Sequence, residues 1–209
     1  YGCKVIRKIP SGALHLIRKS EKCACAGDFD YLCRENACGR IVMDIREIID
    51  RIYRMPESSA VRLAACMSSL SRPRGYCVLE AGRVEPNLFF IGRGIARACI
   101  SADGKKVTFW IGAEGSALVS LKSYVDDEPG YETVELMEDS LLDVLKRSDL
   151  ERFLAEDIHI ANWARRFAES EFLRTEQKLI PMLFLPAARR YETLLRERPE
   201  LLRRVPLET

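Results

Sequence analysis

From Gly75 onward the chain is cut into apolar pieces of strand length. "GYCVLEAG", "NLFFIGRG", "IARACI", "KVTFWIG", "YETVELM" and "LLDVLK" are short apolar or alternating runs. Gly82, Gly92, Gly94, Gly104, Gly112, Gly115 and Gly130 punctuate them. Pieces this short do not make an amphipathic helix of ordinary length, but each is enough for a strand. Asp103-Gly104 stands between two of them and is the strongest short hairpin signal. Many short strands at this spacing imply a sandwich or a barrel.

Helical patterns lie on both sides of the strands. In "MDIREIIDRIYRMPESS", Ile45, Ile48, Ile49 and Ile52 fall at i, i+3, i+4 and i+7, behind Asp44 as N-cap or first-turn acid. "PESSAVRLAACM" does the same with Ala60, Leu63, Ala64 and Met67 behind a helix-starting Pro56. After the strands, "SDLERFLAED" reads as a short helix capped by Ser148. A long helix follows, from about Ile158 to Ile180, which Pro181 is expected to end or kink. Pro186 then opens "PAARRYETLLRER" before Pro199.

The long helix carries two apolar seams. Ile160, Trp163 and Phe167 make one; Ala161, Ala164, Ala168, Phe172 and Leu179 make the other. One barrel needs only one seam to hold a helix. The second is expected to meet a partner chain, its alanines allowing close approach.

Composition is that of an ordinary globular chain, with 47% hydrophobic and 31% charged residues among 209. No apolar run approaches membrane-span length and the first residues have no signal-peptide pattern, so a cytoplasmic location is the default expectation. Residues 1–42 carry eight Lys/Arg against four Asp/Glu, which leaves the remainder slightly acidic. Such a body has no general attraction for nucleic acid. Cys3, Cys23, Cys25, Cys33 and Cys38 also fall in those first residues, whereas Cys66, Cys77 and Cys99 sit alone in apolar patterns and read as small buried hydrophobes.

Taken together, three stretches resemble the Crp/Fnr transcription regulators, in a Bacteroidetes-like subgroup. "LFFIGRGIARACISADGKKVTFWIGAEG" looks like the middle of their cyclic-nucleotide-type barrel, and "EDIHIANWARRFAESEFLRTEQKLI" like their dimer helix. "ARRYETLLRERPELLRRVPLE" resembles the linker to their DNA-binding domain. The resemblance implies a mainly β fold with flanking helices: a double-stranded β-helix, or jelly-roll barrel, over 43–157. A dimerisation helix over 158–182 and the start of a DNA-binding domain over 183–209 would follow. It implies a homodimer that meets promoter DNA through a helix-turn-helix not present in this chain. Residues 1–42 are expected to be an extension outside the domain.

Nucleotide-binding members of that family hold the ligand with a Gly-Glu pair and, about ten residues later, an Arg followed by a small residue. Aligned on Gly115, Val119 and Ser120 fall at the first pair, and Gly130 and Tyr131 at the second. Every charged determinant is missing. Burying a phosphate without its partner charge costs roughly 3–5 kcal/mol, so cyclic AMP is not the expected effector. Ser120, Tyr124 and Tyr131 are the candidate pocket residues, with Lys122 as a substitute cation only if it points inward.

Other signals carry less. Gly92-Arg93-Gly94 lies between two strands, which makes it a turn and not a dinucleotide loop. His15 and His159 are the only histidines, neither in the barrel, so a cupin-type metal centre is not expected. Asp126-Asp127-Glu128 lacks calcium-loop spacing. No Ser-His-Asp or Cys-His pairing is visible, which argues against an enzyme; no cofactor is expected. The competing readings are a redox or metal sensor built on the early cysteines, whose Cys23-x-Cys25-x7-Cys33-x4-Cys38 spacing matches no standard cluster or zinc knuckle, and a free-standing ligand-binding barrel.

Overall fold

The computed structural model describes residues 34–35, 41–102 and 104–205. Asp103 and the five early cysteines, with most of the 1–42 extension, lie outside them. A two-residue ladder, β1 (Arg34–Glu35) on β2 (Ile41–Val42), precedes α1 (Ile45–Ile52). Asp44 caps α1 as expected, its carboxylate accepting the Arg46 N–H at 2.8 Å. Next comes α2 (Glu57–Ala65), for which Pro56 is the capping residue and not the first helical one.

The strands are β3 (Ser68–Arg72), β4 (Cys77–Leu79), β5 (Leu88–Arg93), β6 (Ala96–Ala102), β7 (Lys105–Gly112) and β8 (Ala117–Leu118). A short α3 (Leu121–Asp126) separates them from β9 (Thr133–Leu136) and β10 (Ser140–Leu145). They form two antiparallel sheets, in the orders β3-β10-β5-β8 and β4-β9-β6-β7. The expected hairpin is present, β6 pairing with β7 from Ala96↔Gly112 to Ala102↔Lys105, with Gly104 at φ +74°. β3 and β8 are strands that periodicity did not reveal: "SSLSR" is mostly polar and half-exposed, and β8 is only two residues long.

Side-chain alternation along β5 explains its unbroken apolar run. Leu88 and Phe90 face a core under the helices, with Met43, Ile48, Ile49, Leu63, Phe153, Ile160 and Trp163. Phe89 and Ile91 face the second core, between the sheets, with Val78, Leu79, Leu118, Leu136 and Leu142. A strand covered on both faces has no polar side to show. The three described lone cysteines behave as small apolar groups. Burial pushes the Cys66 and Cys77 thiols up, aided by neighbouring carboxylates, and Cys99 is buried.

The closing elements are α4 (Arg147–Glu156), α5 (Ile158–Phe184), α6 (Ala187–Glu197) and α7 (Pro199–Arg204). Two expectations need correction. Lys146, not Ser148, occupies the N-cap of α4, and no side chain caps that helix; Ser148 is its second helical residue. Pro181 does not end α5, which continues to Phe184. A proline removes only its own N–H, and the ladder resumes behind it: the Leu185 N–H donates to the Pro181 carbonyl at 2.9 Å.

A closed cradle and an exposed rod

The cradle begins at Gly115, whose φ of +81° and close approach to the Met43 sulfur leave no room for a side chain. Its N–H donates to the Ile91 carbonyl at 2.7 Å, which ties the turn to β5. Val119 leans on the helix-side core, and Ser120 is the residue before α3. The return from α3 passes through Asp127 in the left-handed region (φ 55°), and the buried Ser123 hydroxyl donates to the Glu128 carbonyl at 2.9 Å. Gly130 is then held by two backbone bonds, its N–H to Arg83 O at 3.1 Å and its carbonyl accepting Gly82 N–H at 2.8 Å.

The four sequence candidates do not converge. Ser120 is buried, its hydroxyl has no hydrogen-bond partner among the described residues, and it lies so close over Gly130 that a Cβ there would overlap it. Ser120 and Gly130, aligned above with the glutamate and arginine of nucleotide-binding Crp/Fnr members, therefore abut directly. Lys122 points outward, its ammonium 2.8 Å from Glu128 on the surface; that hydrogen bond and charge hold its pKa up. Tyr124 packs against the helix-side core with the Arg147 guanidinium 5.6 Å from its ring centre, and burial pushes its phenol up. Tyr131 is exposed.

Glu132 is the acid that sequence reasoning passed over. It is buried, accepts the Tyr131 N–H at 3.2 Å, and brings an oxygen 3.5 Å from where a Gly130 Cβ would be. An acidic side chain thus stands beside Gly130, the residue aligned above with the arginine of nucleotide-binding Crp/Fnr members.

The two seams of α5 part company along its length. Its start is clamped: Asp157 caps it by accepting the His159 and Ile160 N–H groups at 3.0 and 3.4 Å, and Arg62 pairs with Asp157 at 3.2 Å. Ile160 and Trp163 are fully buried, and Phe167 stacks on Trp163 at 5.8 Å. From the second seam, Ala164 packs partly against this same core and Ala161 is half-buried, whereas Ala168, Phe172 and Leu179 are exposed. Phe172 and Phe184 each expose 77% of their surface, and Leu173, Ile180, Met182 and Leu183 between them are exposed too.

A further contact had no signal in periodicity. The last helix, α7, returns to the barrel: Leu201 joins Ile95, Ala113 and Met137 in a small core. Beside it Arg204 forks onto Glu114, donating to its two oxygens at 3.0 and 2.8 Å, and also pairs with Glu138. Burial alone would raise the Glu114 carboxyl, but the Arg204 fork and the Gly94 N–H at 3.0 Å outweigh it and hold it below the ordinary value.

Among the described residues no cluster of metal-ligating side chains occurs, and no helix is long and apolar enough to cross a membrane. No protein-family model matches the sequence, and no curated protein matches it. Solved structures do match in fold. A cyclic nucleotide-binding domain from Methylobacillus flagellatus superposes with a TM-score of 0.60 at 19% identity, over 66% of this chain and 80% of that one. The N-terminal domain of a transcriptional regulator from Streptomyces coelicolor gives 0.53 at 18%, over 62% and 95%. The c-di-GMP responsive global regulator CLP of Xanthomonas campestris gives 0.56 at 13%, over 69% and 74%. The fold is therefore that of cyclic-nucleotide-binding jelly rolls, with a long C-terminal helix, and its neighbours include sensor domains of transcription regulators.

Proposed function

We propose that this chain is the sensor and dimerisation portion of a cytoplasmic transcription regulator of the Crp/Fnr kind. In this reading it acts as a homodimer, with no catalytic activity and no membrane partner. It reaches promoter DNA through a helix-turn-helix outside these residues, and its effector is not cyclic AMP. The 43–157 barrel senses, the helix from 158 pairs two subunits, and the segment from 183 leads toward the DNA reader. That the fold neighbours include regulators, one of them c-di-GMP responsive, supports both the role and a non-cAMP input.

The observation that carries this reading is α5. A helix that buries Ile160 and Trp163 near its start and presents Phe172, Leu179 and Leu183 to solvent farther along has an apolar face left uncovered among the described residues. Contiguous apolar faces of this kind mark association surfaces. A second copy of the same helix satisfies it symmetrically, Ala168 allowing close approach. Light scattering after size exclusion is expected to give a dimer at micromolar concentration. Phe172→Asp with Leu179→Asp is expected to give a monomer of unchanged circular dichroism. A monomeric wild-type chain across that range overturns the reading.

The effector claim has its own test. With Gly130 packed on Ser120, Lys122 paired to Glu128 and Glu132 in the cradle, calorimetry is expected to detect no saturable binding of cyclic AMP up to millimolar concentration. Saturable micromolar binding contradicts it.

A further inference from the structure

A second place on the barrel, distinct from the cradle, has the charge that the cradle lacks. It lies where β3, β10 and β5 end together. Across that sheet Ser71, Leu141 and Arg93 stand in one row, and Arg72 lies opposite Ser140 in the next. The ladder slips between Leu142 and Leu141: Leu142 pairs with Ile91 but Leu141 with Arg93, so Gly92 is an extra residue in β5. Such a bulge re-aims the side chain that follows it, and bulges concentrate at barrel rims and beside sites. Here the re-aimed side chain is Arg93.

Arg93 lines an open cavity of about 360 Å³ together with Ser71, Arg72, Pro73 and Asp139. Its Nε is enclosed and has no hydrogen-bond partner among the described residues, as is true of Arg46 Nη1 and Arg97 Nε elsewhere, so what the cavity offers a ligand is the charge of the Arg93 guanidinium. Arg72 is held in place without being neutralised: its Nη1 donates to the Ser71 carbonyl at 3.0 Å and its guanidinium lies 5.0 Å over the Tyr76 ring. The Asp139 carboxylate is engaged by the Arg74 N–H at 3.0 Å. The lining thus offers two guanidinium groups against one carboxylate, in a space at the small end of ligand cavities.

We propose that this cavity binds a small oxyanion between Arg72 and Arg93, by charge-assisted bonds from their planar forks. The inference is independent of the dimer and of the cradle. Its test is titration of the whole chain with inorganic phosphate, and in a second arm with succinate, each replacing chloride at constant ionic strength. One probe or the other is expected to bind saturably and to shift the Arg93 Nε–H resonance. Arg93→Gln, which keeps a polar group but loses the fork and its charge, is expected to weaken that binding at least about tenfold. Should Arg93→Gln fail to fold, Arg72→Gln and the unmutated chain's Nε–H shift carry the test. Tight phosphate with weak succinate identifies a phosphate-type ligand, and the reverse a carboxylate. Binding of neither probe, or equal binding by wild type and Arg93→Gln, overturns the proposal.

Discussion

Trp163→Ala is expected to cost about 3–5 kcal/mol of unfolding free energy. Trp163 is fully buried where α5 crosses the helical layer, stacked on Phe167 with an interplanar angle of 9° and tilted against Phe90 at 6.2 Å. Its indole N–H donates to the Ile49 carbonyl at 3.1 Å, at the end of α1. Removing the ring opens a cavity shared by α1, α5 and β5, and takes from the Ile49 carbonyl its second donor, the Tyr53 N–H at 3.2 Å remaining. Trp163→Phe keeps much of the volume and loses the hydrogen bond, and is expected to cost about 1–2 kcal/mol. Urea midpoints at one fixed protein concentration measure both, with the slope unchanged. A near-neutral alanine variant means that α5 does not dock on the barrel as described.

Arg204→Ala is expected to release α7 from the barrel. The change strips both fork bonds from a buried carboxylate, and uncompensated burial of that kind costs about 3–5 kcal/mol. The chain avoids the full cost by undocking α7 and letting water reach Glu114, so the effect appears as local opening before global unfolding. Amide exchange in 199–205 is expected to accelerate at least about tenfold. Acid has the same effect on the wild type. Because Glu114 is held below its ordinary pKa, the stability it adds is present above the unfolded-state value of about 4.3 and is lost as the pH falls through the lower folded value. Unchanged exchange in the alanine variant, with no acid dependence in the wild type, would show that Leu201 alone holds α7.

Legibility in the sequence followed the kind of force involved. The stripes of α1 and α2 and the apolar runs of β4, β5, β6, β7, β9 and β10 were readable, because burying one face imposes a period on nearby residues. β3 escaped because "SSLSR" offers one apolar residue, Leu70, and gets its place from pairing with β10. Ser148 has the residue type of a cap, but the backbone begins its helical turn two residues earlier. Of the two outcomes expected at Pro181, the helix does not end there: losing one hydrogen bond does not outweigh a helix propagating on both sides. In the cradle, Ser120 and Gly130 could be read directly as uncharged residues. That Glu132 turns inward, and that Ser120 and Gly130 touch, could not.

Most of the strands and the long rod after them were written in local residue patterns. Those patterns suffice because period and residue type act over neighbours a few positions apart. Only the folded chain decided which residues meet across long separations: Arg204 on Glu114, Arg72 beside Arg93 around one cavity, Trp163 under Ile49. Such meetings depend on strand register and helix docking, to which many distant residues each contribute weakly.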